Sequence, residues 1–202
     1  MSLDAWIAFC VTETALCLSP GPAVLLVVSM ALTRGPRPGL AAAAGILAAN
    51  AGYFALSATG VAALIVASSE LFTALKWTGA AYLIWLGLRM LRTRPAPAVV
   101  APQHGHRAFA RGFVVQAANP KALVFFMALV PQFLDPASAV GVQVLILGVS
   151  SVLIELIVLT AYVAASVRAR RFAGARLAVP LERVGGAFLV LAGGRLAFVR
   201  TD

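Results

Sequence analysis

The sequence predicts an all-α integral membrane protein whose six transmembrane helices form two inverted three-helix repeats. The first observation is composition: 61% of the 202 residues are hydrophobic and 11% are charged, whereas soluble domains carry about 25% charged residues. The second is length, because six apolar segments each approach the roughly 20 residues that cross a bilayer. The third is a proline near the middle of the first and the fourth segment, Pro20 and Pro120.

The first repeat is predicted over residues 1–92, with spans at 5–32, 39–66 and 71–91. Residues 93–110 follow, and their sequence TRPAPAVVAPQHGHRAFA predicts a cytoplasmic linker because three prolines interrupt a stretch without apolar periodicity. Two histidines in this linker lack further ligands, so no metal site is predicted there. The second repeat is predicted over 111–202, with spans at 111–134, 139–166 and 182–199.

The positive charges predict the orientation of the spans. Twelve of the 16 basic residues fall in the loops between spans 1 and 2, 3 and 4, and 5 and 6, ends included. An excess of Lys and Arg marks the cytoplasmic side, so both termini are predicted outside the plasma (inner) membrane. The net charge of +9 is therefore a topology signal, with some attraction to anionic membrane lipid, and it does not indicate nucleic acid. Three spans in each half make the second half enter from the opposite side, as in inverted repeats.

Two proline motifs interrupt apolar runs, Ser19-Pro20-Gly21-Pro22 in span 1 and Asn119-Pro120-Lys121 in span 4. A proline inside a helix lacks the N–H group and clashes with the carbonyl four residues earlier. The carbonyls expected to lose their intrahelical partners are those of Leu16, Leu18 and Gln116. Because an unsatisfied carbonyl in hydrocarbon costs several kcal/mol, broken backbone must face protein, water or a ligand.

Ser19 and Asn119 each precede a proline and are predicted to cap a new helix inside the membrane. The positive end of such a helix suits a carboxylate, and the freed carbonyls suit an ammonium group or a cation. One site between the two breaks could therefore bind both ends of an amino acid. The alternative is a purely structural role, since proline kinks are common in membrane helices.

Three ionisable residues lie well inside spans, away from their ends: Glu13, Lys121 and Glu155. Each costs at least about 2.5–3.5 kcal/mol at a helix centre, so each is a functional candidate. Lys121 can pair with either glutamate or bind a substrate carboxylate. Glu155 shares a helix face with Ser151 and Tyr162, which predicts that it faces a cavity rather than lipid. Proton exchange at such a carboxyl group is a hypothesis that this position suggests.

Polar residues also line span 2, where Asn50, Tyr53 and Ser57 share a helix face for substrate contact or for interhelical hydrogen bonds. Glycines in span 6 allow close helix packing within the chain or across a homodimer. The predicted substrate-binding residues are Ser19, Pro20, Gly21, Pro22, Asn50, Asn119, Pro120, Lys121 and Tyr162. The predicted ion-coupling residues are Glu155 and Glu13.

Several stretches resemble the LysE/RhtB family of amino-acid exporters, most closely its homoserine/threonine-efflux branch. They are LSPGPAVLLVVSMALTRGPRPGL at 18–40, Gly45, LKWTGAAYLIWLG at 75–87, NPKALVFFMALVPQF at 119–133 and IELIVLTAY at 154–162. The resemblance implies six membrane helices and ion-driven export of amino acids or small derivatives. It also implies that the two proline motifs are the family's own and that Glu155 matches an acidic residue of its fifth helix, whereas Glu13 lies outside the family motifs.

The predicted function is a secondary transporter that exports neutral, homoserine- or threonine-like amino acids by proton antiport, without a cofactor and without enzymatic activity. The alternatives are an exporter or channel for another small solute or a metal cation, and a membrane protein that transports nothing. A thiol-based membrane enzyme is disfavoured because Cys10 and Cys17 both lie in span 1.

Overall fold

A computed structural model describes residues 1–58, 69–92, 105–119, 121–122, 125–135 and 137–173, together with six helical positions between 183 and 194. Throughout these ranges the regular structure is helical and contains no strand, which confirms the all-α prediction. Four predicted features lie wholly or partly outside the described residues: Pro120, the linker up to residue 104, the end of span 2 and most of span 6.

Six α-helices are described from end to end, numbered in chain order. They are α1 (Leu3–Leu18), α2 (Pro22–Arg34), α3 (Pro36–Ala58), α4 (Ser69–Leu91), α5 (Gly105–Ala117) and α6 (Val140–Ala173). A π-helical turn, Phe125–Leu129, and a 3-10 turn, Val130–Phe133, precede α6. The predicted spans 1, 2, 3 and 5 correspond to α1 with α2, to α3, to α4 and to α6.

Span 1 is broken where the sequence predicts, because α1 and α2 meet at an angle of 52°. The predicted cap is wrong in one respect. Ser19 ends α1 as its C-cap, whereas Gly21 is the N-cap of α2 and Pro22 is its first residue. Proline at the first helical position has no N–H to satisfy and already has a helical φ, so the new helix begins at the second proline of the motif.

Two described helices are long and apolar enough to cross a membrane, over Pro36–Ser57 and Val140–Arg170, and the bent pair of α1 and α2 would make a third. The second half contains a matching interruption, because α5 ends at Ala117 and residues 118–119 are not helical. The chain thus has the helices of an integral membrane protein. Its arrangement as two inverted repeats of three spans stays a prediction.

Helix α6 has an apolar outer face and buries its polar side chains, together with apolar ones, on the inner face. Large exposed side chains recur at helical spacing along the outer face, at Val142, Leu145, Val149, Leu153 and Ile157. The opposite face buries Gln143, Ser151, Glu155 and Ser166. This is the reverse of a soluble protein, and it is the pattern expected when hydrocarbon is outside and polar groups must find partners inside.

Helices α3 and α5 cross at close range because glycines lie at the crossing. A Cβ atom on Gly45 would collide with the backbone of Phe109 and Phe113, and one on Gly112 would collide with the backbone of Ala42. Such small residues allow membrane helices to approach closely. Helix α5 begins at Gly105, six residues before the predicted membrane span at 111. The sequence did not indicate these first turns because they are amphipathic and lack the apolar run of a span.

Charged residues that the structure describes lie at both ends of the bundle. At one end the terminal ammonium of Met1 lies 3.8 Å from the Asp135 carboxylate. Hydrogen bonds from Ser138 and from the backbone of Ala137 lower the pKa of Asp135. At the other end the Arg170 guanidinium lies beside Gly35. The N-terminus and the loop before α6 therefore share one end, and Gly35 and Arg170 lie together at the other.

Candidate functional site

The two proline breaks meet in space, although they lie in opposite halves of the chain. Lys121 follows the second break, and its Nζ atom donates hydrogen bonds to the backbone carbonyls of Leu16 and Ser19, the latter at 3.0 Å. The aliphatic part of the Lys121 side chain packs beside Gly21. Residues from both motifs thus line one cavity, as the sequence predicts for a shared site.

The interrupted helices leave carbonyls without intrahelical partners, and protein donors satisfy them. The hydroxyl of Tyr162 donates to the carbonyl of Leu18 at 2.9 Å. At the second break the hydroxyl of Tyr53 donates to the carbonyl of Ala117 at 2.6 Å. The carbonyl of Gln116 accepts from the backbone N–H of Asn119 at 3.0 Å. The freed carbonyls, expected to be available to a substrate, are therefore bonded to the protein itself in this structure.

Asn119 has the geometry expected of an N-cap. Its Oδ1 atom accepts a hydrogen bond from the backbone N–H of Lys121 at 3.1 Å, and residues 121–122 are helical. A short polar side chain in this position satisfies one of the first N–H groups of a helix. The predicted caps therefore differ between the halves: Asn119 caps the turn that follows it, whereas Ser19 ends the helix before it.

A cavity of about 60 Å³ lies between the breaks, and all three predicted intramembrane charges line it: Glu13, Lys121 and Glu155. Gly21, Asn50 and Asn119 also line it, together with apolar residues of α2 and α6. Polar side chains from both halves of the chain therefore surround one small cavity.

A continuous chain of buried side-chain hydrogen bonds begins at Glu155. Asn50 Nδ2 donates to the Glu155 carboxylate, and Gln116 Nε2 donates to Asn50 Oδ1 at 2.8 Å. Asn119 Nδ2 then donates to Gln116 Oε1 at 3.0 Å. Asn50, Gln116, Asn119 and Glu155 are each at most 8% exposed. The side chain of Gln116 was missed by the sequence reasoning, although a lone amide in an apolar run four residues before a proline was a usable signal.

Glu13 belongs to a second cluster on the same cavity. Its Oε1 atom accepts from Ser151 Oγ at 2.5 Å and from Cys17 Sγ at 3.7 Å. Both cysteines are free thiols. Within the described residues neither Glu13 nor Glu155 forms an ion pair with Lys121 within 4.0 Å. The two carboxyl groups are therefore bonded by neutral donors, and the pairing suggested for Lys121 is not seen in this form.

Aromatic side chains cover the cavity on the side of the N-terminal half of α1. Phe125 and Phe126 line the cavity, and Phe126 stacks on Tyr53 with ring centroids 4.8 Å apart. Phe9 is fully buried and packs against Phe125 and Phe133, at 6.0 and 5.4 Å between centroids. The π-helical turn at Phe125–Leu129 therefore presents two adjacent rings to the site.

The remaining predicted residues have the following positions. Ser19 and Pro20 are exposed, and Pro22 is buried at the start of α2. Ser57 bonds to the backbone of its own helix, so of the stripe on span 2 only Asn50 lines the cavity. Among the residues that the structure describes, no three His, Cys, Asp or Glu side chains group as metal ligands.

The sequence matches the family described as LysE type translocator over residues 14–199. The chain belongs to this family. It is therefore a membrane translocator and not an enzyme. The two breaks and the cavity between them therefore occur in a member of the LysE-type translocator family.

Curated relatives carry related names. A homoserine/homoserine lactone efflux protein of Salmonella typhimurium is 34% identical over 204 residues, which cover 99% of each chain. A leucine efflux protein of Enterobacter sp. (strain 638) is 35% identical over 144 residues, 68% of each chain. A membrane protein of Vibrio cholerae is 34% identical over 175 residues, 85% of each chain. No solved structure matches the chain significantly.

Proposed function

We propose that this protein exports small neutral amino acids or their derivatives, of the homoserine and threonine kind, across the plasma (inner) membrane by proton antiport. Amino-acid export as the general class follows from the family and from relatives named for homoserine and leucine efflux. The observation that carries the proposal for this chain is the contact between the Lys121 ammonium and the backbone carbonyls exposed at the first break.

This contact suggests how a zwitterion binds. The Lys121 ammonium occupies the carbonyls of Leu16 and Ser19, which are acceptors that an amino-acid ammonium could equally use. When a substrate ammonium takes them, Lys121 is released and can pair with the substrate carboxylate. The N-terminus of α2 adjoins this position, and its N-cap Gly21 provides no side-chain hydrogen bond. Its first N–H groups and its dipole favour a carboxylate as well.

The composition of the cavity favours a substrate without a charged side chain. One cation and two carboxyl groups line it, and most other lining residues are apolar. A zwitterion adds no net charge to this set. A substrate with a further charge would need another partner, since a charge brought into the membrane interior without one costs several kcal/mol.

Transport requires movement around the cavity. The cavity of about 60 Å³ is small for an amino acid, and we expect the segments around the breaks to separate when substrate enters. Transporters with discontinuous helices bind substrate near the midplane and expose the site to each side in turn. Proton antiport is proposed because Glu155 and Glu13 are carboxyl groups beside the substrate position, bonded by neutral donors that tolerate both protonation states.

The test is uptake of labelled threonine and homoserine into inverted membrane vesicles under an imposed pH gradient. Lys121→Ala is expected to lose at least about tenfold in transport, because a hydrogen-bonded charge at the site is worth roughly 1.5–3 kcal/mol. Glu155→Gln is expected to lose accumulation driven by the gradient. The matched controls remove the same groups at exposed positions: Arg168→Ala for the cation and Asp4→Asn for the carboxyl group.

Both controls should transport like wild type. Equal transport by wild type, Lys121→Ala and Glu155→Gln would refute the site. Uptake that persists unchanged after the pH gradient is collapsed would refute proton coupling while leaving amino-acid export intact.

A further inference from the structure

We propose that three side-chain amides, those of Asn50, Gln116 and Asn119, couple the protonation of Glu155 to the opening of the break at Lys121. Gln116 is the positioning residue at the middle of this chain. The inference rests on the proposed proton antiport, because it concerns what a proton on Glu155 does to the rest of the site. It adds a role for Gln116, which contacts two other amides and no charged group.

The hydrogen bonds of the amide chain all run in one direction. Asn50 donates to Glu155, Gln116 donates to Asn50 and Asn119 donates to Gln116. At the far end Asn119 Oδ1 accepts the backbone N–H of Lys121. Each amide therefore turns its NH₂ group towards Glu155 and its oxygen towards Lys121.

The groups at the two ends of the amide chain fix the direction of its hydrogen bonds. A backbone N–H group can only donate, and an ionised carboxylate can only accept. With Glu155 ionised, Asn50 must present its NH₂ group to the carboxylate, and each following amide must then face the same way. Because the chain is buried, turning one amide alone would place donor against donor or acceptor against acceptor, and a buried polar group without a partner is costly.

A proton on Glu155 removes the restraint at the carboxylate end of the amide chain. The neutral carboxyl group carries an O–H donor, and its hydrogen bond from Asn50 loses the assistance of the charge, which roughly doubles the strength of such bonds. The reversed direction of the chain then becomes accessible. In that direction Asn119 turns its NH₂ group towards the N–H of Lys121, so the cap opens. Lys121 is the residue that bridges to the first break, so loss of the cap loosens the contact between the two halves.

The other titratable groups around the cavity do not belong to the chain. Glu13 on α1 accepts hydrogen bonds from Cys17 of the same helix and from Ser151 on α6. Lys121 contributes its backbone N–H to the chain, while its ammonium bonds to carbonyls of the first break. The cavity-lining residues of α2 and α3 carry no charge. Glu155 is thus the titratable side chain at which the amide chain ends.

Gln116→Met tests the chain, because methionine keeps the length of the side chain and removes both hydrogen bonds. The control is Gln143→Met, the same change at a glutamine that is equally buried, at 4% exposed against 5%, and that bonds to Asp135 instead. Two activities are measured in the same vesicles: accumulation of labelled amino acid under a pH gradient, and its exchange at equal pH. The readout is the ratio of the first activity to the second. Gln116→Met should lower this ratio at least about fivefold, and Gln143→Met should leave it unchanged. An unchanged ratio in Gln116→Met, or an equal loss of both activities, overturns the proposal.

Hydrogen exchange of the purified protein gives a second measurement that does not depend on transport. Protection of the Lys121 amide, corrected for the intrinsic effect of pH, should fall by roughly fivefold as Glu155 becomes protonated. In Glu155→Gln the protection should be low and independent of pH. Protection that does not change with pH in wild type overturns the coupling. Absence of transport by wild type would refute the proposed function instead, so the two failures are distinguishable.

Discussion

At the scale of single residues, the site depends on donors that satisfy broken backbone inside the membrane. Lys121, Tyr162 and Tyr53 each supply a hydrogen bond to a carbonyl that has lost its helical partner. Two of these donors reach from the second half of the chain to the first. The polar side chains here are therefore required by the proline breaks, and the same residues are placed where a substrate can compete for the carbonyls.

Tyr162→Phe removes the donor to the Leu18 carbonyl and keeps the ring. Loss of one hydrogen bond between membrane helices costs about 1 kcal/mol, which corresponds to a melting temperature lower by about 2–4 °C in a protein of this size. The measurement is thermal unfolding of the purified protein in detergent. The control is Tyr82→Phe, whose ring packs against Trp85. An equal effect in both variants would contradict the role assigned to the Tyr162 hydroxyl.

At the scale of helices, close packing and interruption occur side by side. Helices α3 and α5 approach through Gly45 and Gly112, and this crossing lies within two turns of Asn50 and Gln116. This close crossing holds Asn50 and Gln116, two members of the amide chain, on one helix pair. Helix α3 therefore serves as the support for the site.

Gly112→Ala is expected to destabilise the protein because its Cβ atom would collide with the backbone of Ala42. Overpacking of this kind typically costs about 1–3 kcal/mol. Gly52→Ala is the control, since a Cβ atom there meets nothing within 4 Å. It should be neutral or slightly stabilising, because alanine favours a helix by roughly 0.5–1 kcal/mol over glycine. Melting temperatures of both variants in detergent decide the matter, and similar values would refute the close crossing.

At the scale of the whole molecule, the bundle has two chemically distinct ends. The end with Met1 and Asp135 carries the N-terminus, and the opposite end carries Gly35 and Arg170 of the last turns of α6. By the positive-inside rule we expect the arginine end to lie in the cytoplasm. Under the proposed function, substrate would then move from the arginine end, past Lys121, towards the aromatic cluster around Phe9.

This orientation predicts the labelling of two single-cysteine additions in intact cells. Ser138→Cys lies in the exposed loop beside Asp135, and Arg37→Cys lies at the exposed start of α3. A membrane-impermeant maleimide should label the first from outside, and the second only after the membrane is permeabilised. The unsubstituted protein measures the background from Cys10 and Cys17. The opposite pattern would invert the topology, and labelling of both in intact cells would contradict the separation of the two ends.

The sequence by itself determined the helical membrane class, the place of both breaks and the candidate charges. Hydrophobic length, proline chemistry and the cost of a charge in hydrocarbon act locally, so they can be read without knowing the fold. This is why the bend at residues 19–21 and the inward direction of Glu155 were predicted. The cap at Ser19 was predicted wrongly, because a choice between two nearby prolines leaves no decisive local signal, and the amphipathic first turns of α5 gave no sign that this helix begins before the predicted span.

Only the tertiary structure decided which groups meet. The sequence left Lys121 open to Glu13, Glu155 or substrate, and the folded chain places it on the carbonyls of the opposite half. Nor did the spacing of Asn50, Gln116 and Asn119 indicate a connected chain, because hydrogen bonds across 66 and 105 residues of sequence depend on how helices pack. Local chemistry fixes where a membrane helix must break and what it must bury, whereas the partner of each buried polar group is set by three-dimensional proximity.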